Sequence, residues 1–243
     1  MDKHSTLTTR ITEHIESTHG VKAGIAVLSE VLEGASYRAE AEAWKTAAGL
    51  DGEPDPTWPA DARSVLVLGL PHPEEAPRLD WWSRGNTLGN RKLMEISDQV
   101  IAFLGDRFGL GAVQLPYYVE RGGVFLKDAA VLAGLGIVGR NNLFLHPELG
   151  PRIRLRGILV EADLAPTRLR EPFSPCETCD EPCRRACPMK AFENGAYSRQ
   201  RCGGQMRLNE RHPAPDPAAG ENGSGDLVIQ YCRKCELSCP VGA

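Results

Sequence analysis

The stretch Cys176-Glu177-Thr178-Cys179-Asp180-Glu181-Pro182-Cys183-Arg184-Arg185-Ala186-Cys187-Pro188 decides how the rest of the chain is read. It carries four cysteines at spacings of two, three and three residues, and a proline follows the last. A second group, Cys232-x2-Cys235-x3-Cys239-Pro240, lies further on, and Cys202 stands between the two. These are all 8 cysteines of the chain. A cubane needs four thiolates converging on one soft core. Short spacings let three of them wrap one face through a turning backbone. The cysteine before proline then supplies a ligand to the other cluster, as in two-cluster ferredoxins. That rule assigns Cys176, Cys179, Cys183 and Cys239 to one cluster and Cys187, Cys202, Cys232 and Cys235 to the other. Zinc is the alternative, because CxxC pairs also bind Zn2+. The repeated Cys-Pro and the extra cysteines packed against each CxxC favour two [4Fe–4S] clusters. The three residues between Cys179 and Cys183 are one more than usual.

Working outward, the composition turns Cys-, Arg- and Pro-rich after Pro175, which predicts two domains, 1–172 and 173–243. The chain has 243 residues, 42% hydrophobic and 25% charged, so it is globular and long enough for a sizeable core. Lys and Arg total 28 against 32 Asp and Glu, a formal −4. Two cubanes would move this toward about −8. Nucleic acid is therefore not the expected partner. No apolar run approaches the ~20 residues of a membrane helix. The N-terminus Met1-Asp2-Lys3-His4-Ser5 carries no apolar leader, so the sequence reads as cytoplasmic, where disulfides are not expected.

Apolar spacing predicts helices over 5–19, 36–48, 91–108 and 124–134. Strands are predicted over 65–70, 113–115, 142–145 and 153–160, with 24–28 readable as strand or helix. Loops are predicted over the Pro-rich segments 50–62 and 213–225. The order lacks a regular βαβ repeat, so the fold class is α+β. Gly134-Leu135-Gly136-Ile137-Val138-Gly139 matches G-x-G-x-x-G, but a helix precedes it and a strand follows, the reverse of a dinucleotide site. It reads either as a helix cap with a tight turn or as a wall against a flat cofactor. Arg152, Arg154 and Arg156 alternate onto one strand face, expected to be solvated, with an anion contact as the functional alternative. Tyr117 and Tyr118 precede Glu120 and could line a cavity with it. His72 and His146 read as loop histidines, and Trp81-Trp82 as core or lid.

Taken together, these residues resemble a family. The strand Arg63–Pro71, the run Ala133–Asn141, Pro147-Glu148-Leu149-Gly150 and the two-cluster cysteines are similar to epoxyqueuosine reductases and, more distantly, to reductive dehalogenases. The resemblance covers roughly residues 60–240. It implies a nitroreductase-like cobalamin-type domain followed by a ferredoxin-like double-cluster domain. It also implies cobalamin as a further cofactor, near Tyr117, Gly134, Gly136, Gly139, Arg140 and Asn141. Glu120 stands where the family places a proton-donating aspartate. The Arg121-Gly122-Gly123 that follows departs from the family pattern, and the family's long helical extension is not expected here. The implied activity is reduction of a small or nucleoside-like substrate, with electrons from a ferredoxin- or flavodoxin-type donor. The alternative is a non-catalytic electron-transfer or corrinoid-handling protein that reduces a partner's cofactor.

Overall fold

The computed structural model describes residues 3–48, 58–193, 195–216 and 227–242, with the backbone alone for residues 3, 4, 40, 43–48 and 120. These form two compact units, one of residues 1–71, 93–138 and 155–173, the other of 72–92, 139–154 and 174–243. The architecture mixes helices with a four-stranded sheet, in keeping with an α+β class.

The sheet runs in the order Lys22–Val27, Ser64–Pro71, Ile153–Val160, Ala112–Gln114. The first pair is antiparallel, from Lys22 opposite Gly69 to Val27 opposite Ser64, and so is the last, with Val113 opposite Leu159. Val65, Leu66, Val67 and Leu68 are all fully buried. A strand covered on both faces has no solvated side to alternate with, which is why its sequence is a continuous apolar run. Ile11 and Ile15 of the helix Lys3–His19 close one side of the core, and Leu93, Val100 and Leu104 of the helix Leu88–Phe108 join them. The undecided segment 24–28 turns out to be a junction, the strand Lys22–Val27 running directly into the helix Leu28–Glu33.

The glycine motif closes a helix. After Leu126–Leu132, Gly134 takes φ +65°, its N–H bonds Val131 O at 2.9 Å, and Leu135 N–H bonds Ala130 O at 3.0 Å. This is a Schellman cap, which needs a residue tolerant of the left-handed region. A Cβ at Gly134 would lie 2.5 Å from the backbone of Arg168 and Leu169. The expected strand 142–145 shortens to Phe144–Leu145, because Asn142 sits at φ +59°, incompatible with extended backbone. Of the two expected loops, residues 58–62 are irregular and 49–57 lie outside the described residues. Ala214–Pro215 pairs with Leu227–Val228, and 217–226 likewise lie outside.

Two segments expected in the first domain belong to the second unit. Trp82 exchanges backbone hydrogen bonds with Ile229 at 3.0 and 2.9 Å. Arg152 donates to Val241 O at 2.9 Å and Cys239 O at 3.2 Å. Gly150, at φ +57°, presses so closely on the tail that a Cβ would lie 1.9 Å from Val241 O. The face of Arg152 and Arg156 is therefore not solvated, as these residues are 8% and 7% exposed. Arg154 bonds Asp80 at 2.5 Å, and Arg156 bonds the Gln114 side chain. The alternation was real, but both faces of the strand are covered. Among the described residues no helix is long and apolar enough to cross a membrane.

Candidate metal centres

The first quartet is built on turns. Glu177 N–H bonds Ser174 O at 3.1 Å, which turns the chain at Cys176. Glu181, at φ +59°, then redirects it into the single helical turn Pro182–Arg185, where proline opens the helix and Cys183 is buried. Cys239 follows the short helix Lys234–Leu237, its N–H bonded to Glu236 O at 3.1 Å. Cys176, Cys179, Cys183 and Cys239 line one small cavity with Arg140, Asn141 and Glu181. Burial pushes the Cys183 thiol up, and the neighbouring Cys239, Cys179 and Cys176 push it further. Thiols that raise one another in this way are ionised together only when a cation or metal core offsets the crowding.

The second quartet draws on three elements. Cys187 precedes Pro188, and its sulfur accepts the Ala191 N–H at 3.3 Å. Cys202 lies in the helix Arg199–Arg211, whose N-cap Ser198 accepts the Arg201 N–H at 3.3 Å. Cys232 donates its N–H to Asn209 Oδ1 at 3.2 Å, and Cys235 sits on the helix Lys234–Leu237. Burial, then Cys232, Cys202 and Cys187, push the Cys235 thiol up to about 12. Burial followed by Cys187 and Cys202 also raises Cys232. All eight cysteines are free thiols. Cys239 thus lies with the three cysteines of the first group although it follows the second CxxC in sequence. The donor set, four soft sulfurs per group, is the one cubane clusters use. No three His, Cys, Asp or Glu among the described residues gather closely enough to hold a single ion.

A buried charge network that the sequence reading missed backs the Cys232–Cys235 turn. His72, only 5% exposed, bonds Asp80 through Nδ1 at 2.9 Å. Asp80 also meets Arg233 at 2.7 Å and Arg154 at 2.5 Å. Arg233 donates to Glu236 and, at 3.0 Å, to His72 O. Burial pushes the Asp80 carboxyl up, but the His72 hydrogen bond together with Arg154 and Arg233 outweighs it and holds the group below its ordinary value. His72 is thus a structural residue rather than a plain loop histidine. His146, also buried, accepts the Glu148 N–H at 3.1 Å within its own turn.

The residues expected around a corrinoid fare differently. Gly134 is occupied in the cap, and a Cβ at Gly139 would lie 2.6 Å from Leu145 Cδ1. Asn141 Oδ1 accepts the Leu143 N–H at 3.2 Å, and Arg140 pairs with Glu181 at 2.8 Å. That hydrogen bond, with the nearby Cys176 and Cys179, raises the Arg140 guanidinium. The turn 134–141 is therefore packed against its own chain at Gly134 and Gly139. Gly136 is buried. Tyr117 remains 47% exposed, edge-on to Tyr118 at 5.1 Å. Glu120 falls in the turn Val119–Arg121, but its side chain lies outside the described residues.

No family model matches the chain. It is 27% identical over 199 residues to epoxyqueuosine reductase of Lactococcus garvieae, covering 74% of this chain and 52% of that protein. It is 39% identical over 151 residues to tetrachloroethene reductive dehalogenase of Desulfitobacterium hafniense, covering 58% of this chain and 26% of the relative. A solved epoxyqueuosine reductase bound to a modified tRNA-Tyr stem loop superposes with a TM-score of 0.66 at 20% identity, over 99% of this chain and 66% of that one. The chain spans about half the length of the epoxyqueuosine reductases it matches in sequence. By sequence it is similar to epoxyqueuosine reductases and reductive dehalogenases, and along nearly its whole length it has the fold of the former.

Proposed function

We propose that the chain is an iron–sulfur oxidoreductase in which two [4Fe–4S] clusters pass electrons, one at a time, toward a reducible cofactor. The observation that carries this reading is the gathering of the thiols into two groups of four, crossed as in two-cluster ferredoxins, in a relative of two reductase families. Cys176, Cys179, Cys183 and Cys239 would hold one cluster, and Cys187, Cys202, Cys232 and Cys235 the other. Each N–H aimed at sulfur, such as that of Ala191 at Cys187, lowers the electron density there and raises the reduction potential.

By resemblance the further cofactor is cobalamin, which when bound supplies a low-potential metal centre to the substrate. Glu120 would supply the proton, its backbone fixed by the turn Val119–Arg121, and Tyr117 would face the ligand. The substrate would be small or nucleoside-like. The tRNA-bound neighbour speaks for the latter and against the composition argument that made nucleic acid an unexpected partner. The donor would be of ferredoxin or flavodoxin type. The engagement of Gly134, Gly139, Arg140 and Asn141 within the chain favours a second reading, an electron-transfer or corrinoid-handling protein that reduces a partner's cofactor.

Iron and acid-labile sulfide of anaerobically prepared protein test the core of this reading, with about eight of each expected per chain for two cubanes. Stoichiometric zinc without sulfide overturns it. Titration with cob(II)alamin then separates the reductase from a pure electron-transfer protein, which would not bind it, and turnover of a small substrate by the loaded protein separates the reductase from a corrinoid-handling one.

A further inference from the structure

We propose that the basic surface beside the second quartet, formed by Arg78, Arg84, Arg91 and Lys234 around Trp81, docks an acidic protein that carries a low-potential one-electron centre. Electrons then enter the chain at Cys187, Cys202, Cys232 and Cys235. The proposal rests on the two-cluster reading and the ferredoxin- or flavodoxin-type donor above and adds the point of entry.

Access is the first argument. Cys232 lines a cleft of about 660 Å3, together with Trp81, Pro188, Tyr231 and Lys234. The cavity of the first quartet measures only about 20 Å3. Cys232 thus brings the second quartet to the floor of a cleft large enough to seat part of another molecule.

Charge is the second argument. Trp81 also walls an adjoining cleft of about 270 Å3 lined by Arg78, Arg84 and Arg91; Asp216, paired with Arg78 at 3.3 Å, is the acidic residue of that cleft, and Glu74 that of the larger one. The unit as a whole leans the same way. It holds 16 of the 28 Lys and Arg and 13 of the 32 Asp and Glu, a formal +3 that two cubanes would bring to about −1, against the −7 that the total of −4 leaves to the other unit. A positive rim beside an electron-accepting group steers an acidic partner and sets its orientation. Nucleic acid would also be drawn to arginines, and an RNA stem loop is therefore the competing occupant in the test. The continuity of the rim with Cys232 favours the carrier. The step itself is balanced: the carrier is oxidised by one electron and the cluster reduced by one, with no bond made or broken.

The test mixes the cluster-loaded full chain with a photoreduced flavodoxin, an acidic carrier, and follows bleaching near 400 nm by stopped flow. The bimolecular rate is expected to fall about tenfold as salt is raised through the range where the Debye length shrinks below about 10 Å. The doubly substituted R78E/R84E protein is expected to be about tenfold slower at low salt and to lose that salt dependence. Dithionite should bleach both proteins equally, which shows that the variant is folded and loaded. A flavodoxin rate indifferent to salt and to the substitutions overturns the proposal. So does an RNA stem loop whose binding the substitutions abolish while the flavodoxin rate stands, because the patch is then a nucleic-acid surface. Protein that contains no iron and does not bleach with dithionite removes the two-cluster reading itself, and the docking site with it.

Discussion

Replacing Gly134 by alanine separates two jobs that one residue could do. Gly20 supplies the reference: it sits at φ +64°, almost the same as Gly134 at +65°, but a Cβ there would meet nothing within 4 Å. Gly20→Ala should therefore show only the cost of the left-handed conformation, roughly 1 kcal/mol. Gly134→Ala carries that cost and more, because its Cβ would lie 2.5 Å from the backbone of Arg168 and Leu169, which cannot rotate away like a side chain. Overpacking against a fixed neighbour adds about 1–3 kcal/mol, for a total near 3 kcal/mol. Urea unfolding followed by helix ellipticity, with no corrinoid present, gives both midpoints, and Gly134→Ala should unfold at clearly lower urea. Iron content should be unchanged in both. If the two variants unfold together and Gly134→Ala instead abolishes corrinoid binding, the cap argument fails and the glycine is a cofactor wall.

Cys202→Ser and Cys232→Ser should each lower iron from about eight to about four per chain and remove the same paramagnetic signal on reduction, with the double variant no worse than either single one. Asp80→Asn should cost about 3 kcal/mol, since it leaves the largely buried Arg154 and Arg233 without their shared carboxylate. Asp80 is held below its ordinary value, so its contribution is present above the unfolded-state pKa and is lost as pH falls through the folded-state one. The variant should therefore show a flatter acid limb in a plot of stability against pH. Arg152→Gln frees the carbonyls of Cys239 and Val241 and should release the first cluster before the second, read as a halving of iron during a mild chelator challenge.

The parts of this protein legible in its sequence are those whose signal is local. Ile153–Val160 has the bounds that its apolar pattern predicts, because burial on both faces selects residue type position by position. The cysteine spacing likewise placed Cys239 with Cys176, Cys179 and Cys183, which line one cavity, because the crossing rule of two-cluster ferredoxins reads it from Cys-Pro alone. What stayed hidden depends on partners far along the chain. Nothing in His72 or Asp80 announces Arg233, and Arg233 reads as a plain spacer in a CxxC until the backbone bonds Trp82–Ile229 are seen. The arginine alternation misled for the same reason: charge predicts solvent only where no carboxylate or carbonyl waits on the other side. The glycine motif was resolved by order alone, helix before strand, which excludes the dinucleotide geometry without saying what the glycines touch.

The backbone-on-backbone seam between Gly150 and the tail has a consequence for how this protein can be cut and recombined. The cysteine segment looks like a cassette that could be excised at Ser174 and fused elsewhere. Such a fragment would lack the strand partner of Ile229, the guanidinium that holds Cys239 O, and the turn on which Val241 and Gly242 rest. Three separate lengths of chain are woven into one unit, so its modularity is a property of space and not of sequence order. A functional transplant would have to carry residues 72–92 and 139–154 along with it, and a single crossover can deliver all three only by bringing 93–138 and 155–173 of the other unit as well.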